Sequence, residues 1–528
     1  MRVTFLSGCI GVVLGLQSLM AQQTAKPKLV VGIVIDQFRY DYLTRFRKDY
    51  HGGLDQFMRQ GADFTNAHYQ HAPTVTAVGH SIFMSGAMPS VSGIVSNEWY
   101  DRTTKHEVTS VCDWDMQVVG APQPEQGKRC TDEDPASPRR LLVSTVGDEL
   151  RNASESSKVI GISLKARAAI LPSGHRANGA FWFDLRSGHF VSSTFYAKEL
   201  PAWAAAFNDE KLAEKYVQQP WPGFPTWNFT AASGQPAYSK LAASPWGNEL
   251  IEKFAESAVT NEKLGQRDVT DLLTVSFSSN DYVGHAVGPD APEVRDMALR
   301  VDALIGRLFK LIDQKVGLEN CVFVLTADHG VSPAPPVNQE RKMPGVYITG
   351  NASKVVSHAL ESRFGAADWI ESASTSGIYL NHKTLAEFRT KDGQPVAVED
   401  LYATARQAIL SAPDLHATRV YNSAQLSNGI AGDFVSRAYV YGFYPRESPD
   451  LTIVYEPYAI FGSGHGTTHS SPYSYDNHIP VLFMGSGIKP GRYVQEVMPN
   501  DIAPTLASIL DVETPSGSSG RTLSEILK

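Results

Sequence analysis

Short, uninterrupted apolar runs recur along this chain, and most of them end at an acidic residue or a polar turn. Runs of this kind predict strands that are buried on both faces of a parallel sheet. They occupy residues 28–36, 158–164, 271–277, 322–327 and 479–484. Apolar residues at helical spacing predict an amphipathic helix over residues 294–311, and further helices are expected at 46–57, 138–151 and 501–510. The chain is therefore expected to be an α/β protein whose central, mostly parallel sheet is sandwiched by helices.

Two long segments interrupt this alternation of strands and helices. Residues 186–268 are rich in Trp and Pro and lose the sheet pattern, whereas residues 335–455 contain short strands and a helix of their own. Since 528 residues can bury one large core with insertions, we expect one main domain over residues 26–528. The two segments are expected to be insertions that form a cap over it.

The first 21 residues have the pattern of a secretory signal. One Arg precedes an apolar stretch, and Met20-Ala21 is followed by polar residues. Cleavage near Ala21 would leave the protein periplasmic or secreted. Lipidation at Cys9 is the weaker alternative, since only a short apolar region precedes its lipobox-like sequence.

The charge and hydropathy of the chain limit the classes of molecule that it is expected to bind. A net charge of -8 provides no basic footprint for nucleic acid. Beyond the signal, no stretch approaches the roughly 18 apolar residues of a membrane span, so stable membrane insertion is not expected. We expect a monomer that acts on small molecules.

Three cysteines remain after removal of the signal. Cys112 and Cys130 flank a polar loop and are proposed to form a disulfide in an oxidising compartment. Cys321, which opens the strand at 322–327, is expected to be buried and inert. A thiolate metal cluster is not expected, because the sequence contains no Cys-x-x-Cys pair.

Carboxylate and imidazole side chains follow the predicted strands at the edge where ligands bind in open α/β sheets. Asp-His-Gly at 328–330 is also typical of a buried turn, so its significance depends on matching groups at other strand ends. Such groups are present in the loops after or before the neighbouring strands. The candidates are Asp36, Asp281, His285, Asp328, His329 and His469, with Asp281 and His285 placed in a glycine-punctuated loop.

Four further residues are candidates for binding or attacking an anion. Thr76 precedes an apolar helical segment, where a hydroxyl is usually an N-cap but can also act as a nucleophile at the positive end of the helix. Asn97 can donate to an anionic oxygen, although such a residue often belongs to a turn. Lys165 and Arg167 would share one face of an extended segment and clamp an anion. A solvated strand end is the simpler alternative for this pair.

The six carboxylate and imidazole groups are the ligand types that two zinc ions require, with three protein ligands each. The sequence resembles the alkaline phosphatase superfamily, and within it the periplasmic, phosphate-irrepressible alkaline phosphatases of the PafA type. The resemblance extends over almost all of the mature chain. It rests on the segments 34–39, 73–80, 93–97, 164–167, 280–285, 326–330 and 468–473, which occur in the order that the superfamily has them.

The resemblance implies a role for each candidate. Asp281, His285 and His469 would hold one zinc ion, and Asp36, Asp328 and His329 would hold the other, which also binds the Thr76 oxygen. Thr76 would attack phosphorus and form a phosphothreonine that is then hydrolysed. His465 matches no ligand position and is expected to pack behind the site or support its loop. Residues that match the superfamily's magnesium site cannot be traced in this sequence, so a third site for magnesium is not expected.

The expected substrates are phosphate monoesters over a broad range, as in phosphate scavenging. Lys165, Arg167 and Asn97 complement the dianion of a monoester, whereas a diester offers only one charged oxygen. The alternative is a phosphodiesterase or nucleotide pyrophosphatase of the same superfamily. A phosphomutase would be cytosolic, so the signal segment argues against it. A binding protein with structural zinc would not need Thr76 aligned with the metal site. A sulfatase is disfavoured because the Cys/Ser-x-Pro-x-Arg frame is absent.

Overall fold

The computed structural model describes residues 26–125, 127, 129–131, 134–225, 227, 238–430 and 432–528. The predicted signal segment, including Cys9 and the cleavage site, lies outside this range. Within the described range, the helices are all too short or too polar to cross a membrane.

A ten-stranded sheet forms the centre of the protein. The strands of the chain are β1 (Leu29–Ile35), β2 (Ala62–Ala67), β3 (Glu98–Asp101), β4 (His106–Thr109), β5 (Val118–Val119), β6 (Val159–Ser163), β7 (Gly179–Asp184), β8 (His189–Ser193), β9 (Asp271–Phe277), β10 (Cys321–Thr326), β11 (Val346–Tyr347), β12 (Ile370–Ala373), β13 (Gly377–Leu380), β14 (Ala417–Asn422), β15 (Leu451–Tyr455), β16 (Ala459–Ile460), β17 (Val481–Gly485) and β18 (Gly491–Val497). The order in the large sheet is β18-β2-β17-β10-β1-β9-β6-β7-β8-β5. Its central strands, from β10 to β7, all pair in parallel.

Helices pack against this sheet in two separate groups. The helices are α1 (Tyr40–Arg45), α2 (Gly53–Gln60), α3 (Thr76–Ser85), α4 (Pro89–Ser92), α5 (Val146–Ala153), α6 (Ala166–Ser173), α7 (Ala202–Asp209), α8 (Leu212–Tyr216), α9 (Ser239–Ala242), α10 (Pro245–Asn261), α11 (Ser279–Val287), α12 (Pro292–Lys315), α13 (Pro335–Glu340), α14 (Ala352–Phe364), α15 (His382–Glu387), α16 (Val398–Leu410), α17 (Ser423–Asn428), α18 (Phe434–Gly442), α19 (Ser474–Asn477) and α20 (Ile502–Leu510), and short 3-10 turns lie at Leu318–Asn320, Pro413–Leu415, Pro499–Asp501 and Ser524–Ile526. One group contains α3, α5, α6 and α20, and the other contains α2, α10, α11 and α12.

The predicted fold class is confirmed, because a mostly parallel central sheet lies between helices. The central strands β1, β9 and β10 are completely buried, as expected for continuous apolar runs between two helical layers. The prediction of a helix over residues 138–151 is wrong in its first half. Helix α5 begins only after Thr145, whose side chain forms a capping box with Asp148.

The two segments predicted to form a cap have different structures. In residues 186–268, β8 joins the large sheet and α10 packs against β6, β9 and α12, so this segment extends the central layers. In residues 335–455, four strands form a separate antiparallel sheet in the order β12-β13-β15-β14. Helices α14 and α16 cover this second sheet, and it has its own buried cluster that includes Ile378, Leu401 and Ile453.

A disulfide joins Cys112 to Cys130, as proposed, and Cys321 is buried at the start of β10. The two cysteines of this bond lie 18 residues apart in the sequence.

Replacing both cysteines of the disulfide by serine is expected to lower the free energy of unfolding by about 3 kcal/mol, because the unfolded chain regains the entropy that the cross-link removes. Urea denaturation of the two proteins measures this difference. An unchanged midpoint and slope would show that the disulfide contributes nothing to stability.

Candidate active site

The carboxyl ends of the three central strands bring the candidate acids together. Strand β1 lies between β10 and β9. Asp36 directly follows β1, Asp328 lies two residues beyond β10, and α11 begins just after β9. All of these residues therefore meet at one edge of the sheet, as predicted.

The first cluster consists of Asp281, His285 and His469. The Nε2 atom of His285 lies 3.1 Å from Asp281 Oδ1, and that of His469 lies 3.9 Å from the same oxygen. Asp281 and His285 lie on helix α11, so the prediction of a loop here is wrong. Their separation of four residues places them on one helical face. Gly284, which suggested a loop, leaves space for Gln37: a Cβ there would lie 1.8 Å from the Gln37 Oε1 atom.

The second cluster consists of Asp36, Asp328 and His329, all completely buried. The Nε2 atom of His329 lies 3.2 Å from Asp328 Oδ2. The Oδ2 atom of Asp328 is buried and accepts no hydrogen bond from the described part of the chain, whereas that of Asp36 lies 3.0 Å from the Lys165 ammonium group. Buried carboxylate oxygens in this state are costly unless a cation compensates them.

The three histidines of these clusters are held in the same way. Each points Nδ1 at a backbone carbonyl: His285 at Thr467 O (2.8 Å), His329 at Gly330 O (2.9 Å) and His469 at Thr74 O (2.7 Å). Because a carbonyl can only accept, Nδ1 carries a proton in each ring, and Nε2 is the nitrogen that can bind a metal ion once it has given up its own proton. This is the usual arrangement of metal-binding histidines. The residues present at both clusters therefore fit metal ions.

Lys165 lies between the two clusters. Its Nζ atom is 2.6 Å from Asp281 Oδ2 and 3.0 Å from Asp36 Oδ2, and the residue is 4% exposed. The predicted extended clamp is wrong in its backbone, because Lys165 is the N-cap of α6 and Arg167 lies in the first turn of that helix. The ammonium group thus neutralises one carboxylate of each cluster.

The charges of these groups are strongly coupled. Burial opposes ionisation, but Lys165 and His285 hold the pKa of Asp281 well below its ordinary value. Burial and the neighbouring Asp328 raise the pKa of Asp36. Burial also opposes charge on His329, yet Asp328 raises the pKa of that imidazole to about 9. Three acids this close resist ionising together, and a bound cation would relieve the repulsion between them.

Thr76 is the first residue of α3 and is 1% exposed. Its side chain makes no N-cap hydrogen bond, since Val75 occupies the cap position. Instead, Oγ1 lies 3.4 Å from His329 Nε2 and so faces the second cluster. Asn97 accepts a hydrogen bond of 2.8 Å from the Ala77 amide through Oδ1, which leaves its NH₂ group as a donor beside Thr76.

Two residues of the site were missed by the sequence analysis, Gln37 and His80. Gln37, whose φ is 56°, donates from its backbone amide to Asp328 Oδ1 (2.9 Å) and from Nε2 to Asp281 Oδ1 (2.8 Å). His80 lies one helical turn after Thr76, with Nδ1 2.8 Å from Thr76 O and Nε2 2.9 Å from Ser276 Oγ.

Both missed residues lie in segments that carry the family resemblance, so this resemblance could have identified them as site residues. His80 lies close to Asp36 and Asp328 and could be counted with the second cluster. The ring nitrogens of His80 are engaged by the Thr76 carbonyl and the Ser276 hydroxyl, however, whereas Nε2 of His329 faces Asp328 Oδ2 and the Thr76 hydroxyl. His329 is therefore the better candidate for a metal ligand, and His80 lies behind it against the backbone of Thr76.

A cavity of about 430 Å³ opens beside the site. Val75, Asn97 and Ser470 line it, together with residues 372–376 at the end of β12 and in the turn that follows. His465, which matched no ligand position, is exposed on a loop. The cavity connects the space next to Thr76 with the inserted segment.

His71, on the segment leading to Thr76, is completely buried. Neither ring nitrogen makes a hydrogen bond within the described residues, and burial lowers the pKa to about 3. Since the unfolded chain binds the proton near the ordinary pKa of 6.5, this residue makes stability fall as pH falls from about 6.5 towards 3.

Replacing His71 by leucine is therefore expected to flatten the acid limb of the stability profile by up to about 1.4 kcal/mol per pH unit. Urea denaturation in EDTA between pH 6 and 4 measures the slope without contributions from bound metal. His358→Leu, at an exposed position, serves as the control. Equal slopes for His71→Leu and the unmodified protein would contradict this prediction.

A buried threonine that faces one of two carboxylate and histidine clusters, at the carboxyl edge of a mostly parallel sheet, defines an α/β protein of the alkaline phosphatase superfamily. Residues 30–478 match the family described as type I phosphodiesterase / nucleotide pyrophosphatase. The chain belongs to this family.

Proteins named as alkaline phosphatases are similar to this one over nearly the whole chain. Alkaline phosphatase PafA from Elizabethkingia meningoseptica is 34% identical over 98% of this chain and 98% of its own. The crystal structure of wild-type PafA superposes with a TM-score of 0.85 and covers 95% of this chain and 99% of that chain. A second crystal structure, with a TM-score of 0.85, 33% identity and the same coverage, is of a PafA variant in which a threonine, an asparagine, a lysine and an arginine are replaced.

Proposed function

We propose that this protein is a zinc-dependent alkaline phosphatase that hydrolyses phosphate monoesters through a phosphothreonine at Thr76. The observation that carries this proposal is the position of a buried hydroxyl at the start of α3, facing His329, with the Asn97 amide beside it. A hydroxyl, an amide donor and two cation-attracting clusters are what phosphoryl transfer to a side chain requires.

Two metal ions are proposed: Asp281, His285 and His469 would hold one, and Asp36, Asp328 and His329 would hold the other, which would also bind the Thr76 oxygen. Mixed carboxylate and imidazole ligands, without thiolates among them, suit zinc. When bound, zinc at such sites lowers the pKa of a hydroxyl and balances the charge on a phosphoryl group.

The residues of the chain supply the remaining chemistry. Thr76 Oγ1 attacks phosphorus, and the bond from phosphorus to the leaving oxygen breaks as the new bond forms. The start of helix α3, a helix of ten residues, favours the negative charge that builds up there. The Asn97 NH₂ group donates to one phosphoryl oxygen, and hydrolysis of the phosphothreonine regenerates the hydroxyl.

Selectivity for monoesters is assigned to Lys165 and Arg167, which lie at the start of α6. A monoester has two charged equatorial oxygens, and two cations with an amide compensate them better than they compensate a diester. The replaced residues in the PafA variant support this assignment. Its threonine and asparagine are 21 residues apart and its lysine and arginine two residues apart, the same separations as Thr76 to Asn97 and Lys165 to Arg167.

A periplasmic or secreted location is proposed together with this activity. The disulfide between Cys112 and Cys130 supports an oxidising compartment. The cavity beside Asn97 is open towards the inserted segment 335–455, which supports a broad range of leaving groups. Scavenging of phosphate from varied esters is the role that fits these properties.

The deciding experiment compares kcat/KM for p-nitrophenyl phosphate and bis-p-nitrophenyl phosphate on zinc-loaded protein at alkaline pH. We expect the monoester to be preferred by at least about a hundredfold, because loss of one well-placed donor typically costs that much. A ratio near or below one would refute the monoesterase assignment and the roles given to Lys165 and Arg167.

Phosphodiester hydrolysis remains the second candidate, because the family is described as type I phosphodiesterase / nucleotide pyrophosphatase. It would use the same nucleophile and metal clusters, with a second ester group in the cavity beside Asn97. The same rate ratio therefore distinguishes the two functions.

A further inference from the structure

A second cavity, of about 520 Å³, is lined by residues of α18, of the end of β2 and the segment after it, and of the segment around α19. One wall is the face of helix α18 that carries Phe434, Arg437 and Tyr441, which recur at helical spacing. The opposite wall is formed by Asn66, His68 and Gln70, alternate residues of an extended segment. Tyr458, Tyr473, Ser474, Tyr475 and Asn477 line the space between them. We call this cavity the aromatic groove.

The aromatic groove is separate from the candidate active site. None of the residues assigned above to metal or phosphate lines it. Its floor is fixed to the rear of the His329 loop, because the backbone carbonyl of Tyr475 accepts a hydrogen bond of 2.9 Å from the Val331 amide. The proposed phosphatase reaction therefore leaves this groove without a role.

The aromatic residues of the groove differ in exposure: Tyr475 is buried, whereas Tyr441, Tyr458 and Tyr473 are partly exposed. Phe434 is 53% exposed, an unusual state for a large apolar side chain at the edge of a cavity. Tyr458 has a left-handed backbone with φ of 64°, which is unfavourable for tyrosine, and its ring stacks on Tyr475 at 4.8 Å. Strain of this kind tends to persist where a ligand site requires it.

Planar polar groups surround these rings. Gln70 Nε2 donates to Glu496 Oε1 over 3.3 Å, and His68 Nδ1 lies 2.8 Å from Asn477 Oδ1. Arg437 is exposed and forms no ion pair with any described residue. The amide, carboxylate and guanidinium groups together offer donors and acceptors in fixed planes.

We propose that the aromatic groove is a binding site for a neutral saccharide. A pyranose ring has flat C–H faces that pack on aromatic rings and a rim of hydroxyls that pair with planar amide, carboxylate and guanidinium groups. Arg437 and Glu496 balance each other in charge, which favours a neutral ligand over a phosphate. Nucleic acid is disfavoured by the single cation and by the net charge of -8.

The test is isothermal titration of the zinc-loaded full chain with cellohexaose, maltohexaose and xylohexaose. At least one of the three is expected to bind. Phe434→Ala and Tyr441→Ala are each expected to weaken that binding by at least about tenfold, which is 1.4 kcal/mol. Leu142→Ala is the matched control, because Leu142 is also 53% exposed and lies outside the groove. Turnover of p-nitrophenyl phosphate should be unchanged in all three variants.

Three results would overturn the proposal. The first is no heat of binding for any of the three saccharides at millimolar concentration. The second is binding that Phe434→Ala and Tyr441→Ala leave intact, and the third is competition of the saccharide with p-nitrophenyl phosphate. Binding of a proline-rich peptide in place of the saccharides would assign the groove to a protein partner. Because neither variant touches the candidate active site, failure here leaves the proposed phosphatase function standing.

Discussion

Replacing Thr76 by alanine is expected to lower kcat/KM for p-nitrophenyl phosphate by at least about a thousandfold, as removal of a covalent nucleophile does in other enzymes. The alanine has no oxygen to attack phosphorus, while Asn97 and both clusters remain in place. Initial rates on zinc-loaded protein measure the loss. Thr76→Ser is the matched control, because it keeps the hydroxyl at the start of α3 and should retain far more activity.

A trapping experiment distinguishes loss of the nucleophile from a general disturbance of the site. Acid quenching during turnover, followed by mass spectrometry, should find phosphate on residue 76 of the unmodified protein and of Thr76→Ser. Thr76→Ala should still bind zinc through the six carboxylate and imidazole groups and carry no phosphate at this position. Activity of Thr76→Ala within tenfold of the unmodified protein would exclude a covalent mechanism through this residue.

Replacing Lys165 by methionine is expected to have two large effects. The first is catalytic: kcat/KM for the monoester should fall by about 10²- to 10³-fold, while that for the diester falls much less. One of the two cations that match the second charged oxygen of a monoester has been removed. Rates with p-nitrophenyl phosphate and its diester, measured side by side, give the change in ratio.

The second effect concerns stability without metal. Lys165 is buried and pairs with Asp36 and Asp281, so Lys165→Met leaves two buried carboxylates uncompensated. Breaking a buried pair of this kind costs about 3 kcal/mol. In EDTA the variant should therefore unfold at a lower urea concentration than the unmodified protein. Addition of zinc should raise the urea midpoint of the variant by more than it raises that of the unmodified protein.

Lys158→Met provides the matched control for Lys165→Met. Lys158 lies at the other end of β6 and pairs with Glu262, and it is more exposed than Lys165. Its replacement should change neither the ratio of the two esters nor the gain in stability from zinc. If Lys165→Met lost monoester and diester activity equally, Lys165 would serve metal binding alone and not substrate selection.

Much of the fold could be predicted because its signals are local. A strand buried on both faces must be apolar at every position, so β1 and β10 are visible as runs that end at Asp36 and Asp328. Parallel strands all end at the same edge, which placed these acids together before any contact was known. The candidate clusters were predictable for the same reason.

Helix α11 shows where local signals fail. The glycines around Asp281 and His285 favour a loop, yet the segment is helical. Gly284 is required because Gln37 packs against the helix at that position. Gln37 lies two residues after β1, more than 200 residues earlier in the chain. No property of residues 279–287 alone indicates this contact.

The sequence by itself determined the fold class, the buried strands and the set of acidic and imidazole groups at their ends, because these depend on periodicity within single elements. The tertiary structure alone decided which groups touch. It paired Lys165 with Asp36 and Asp281, placed His80 against Ser276 and gave residues 335–455 a separate sheet. Such contacts depend on strand order and packing between distant segments, and neither leaves a periodic pattern in the chain.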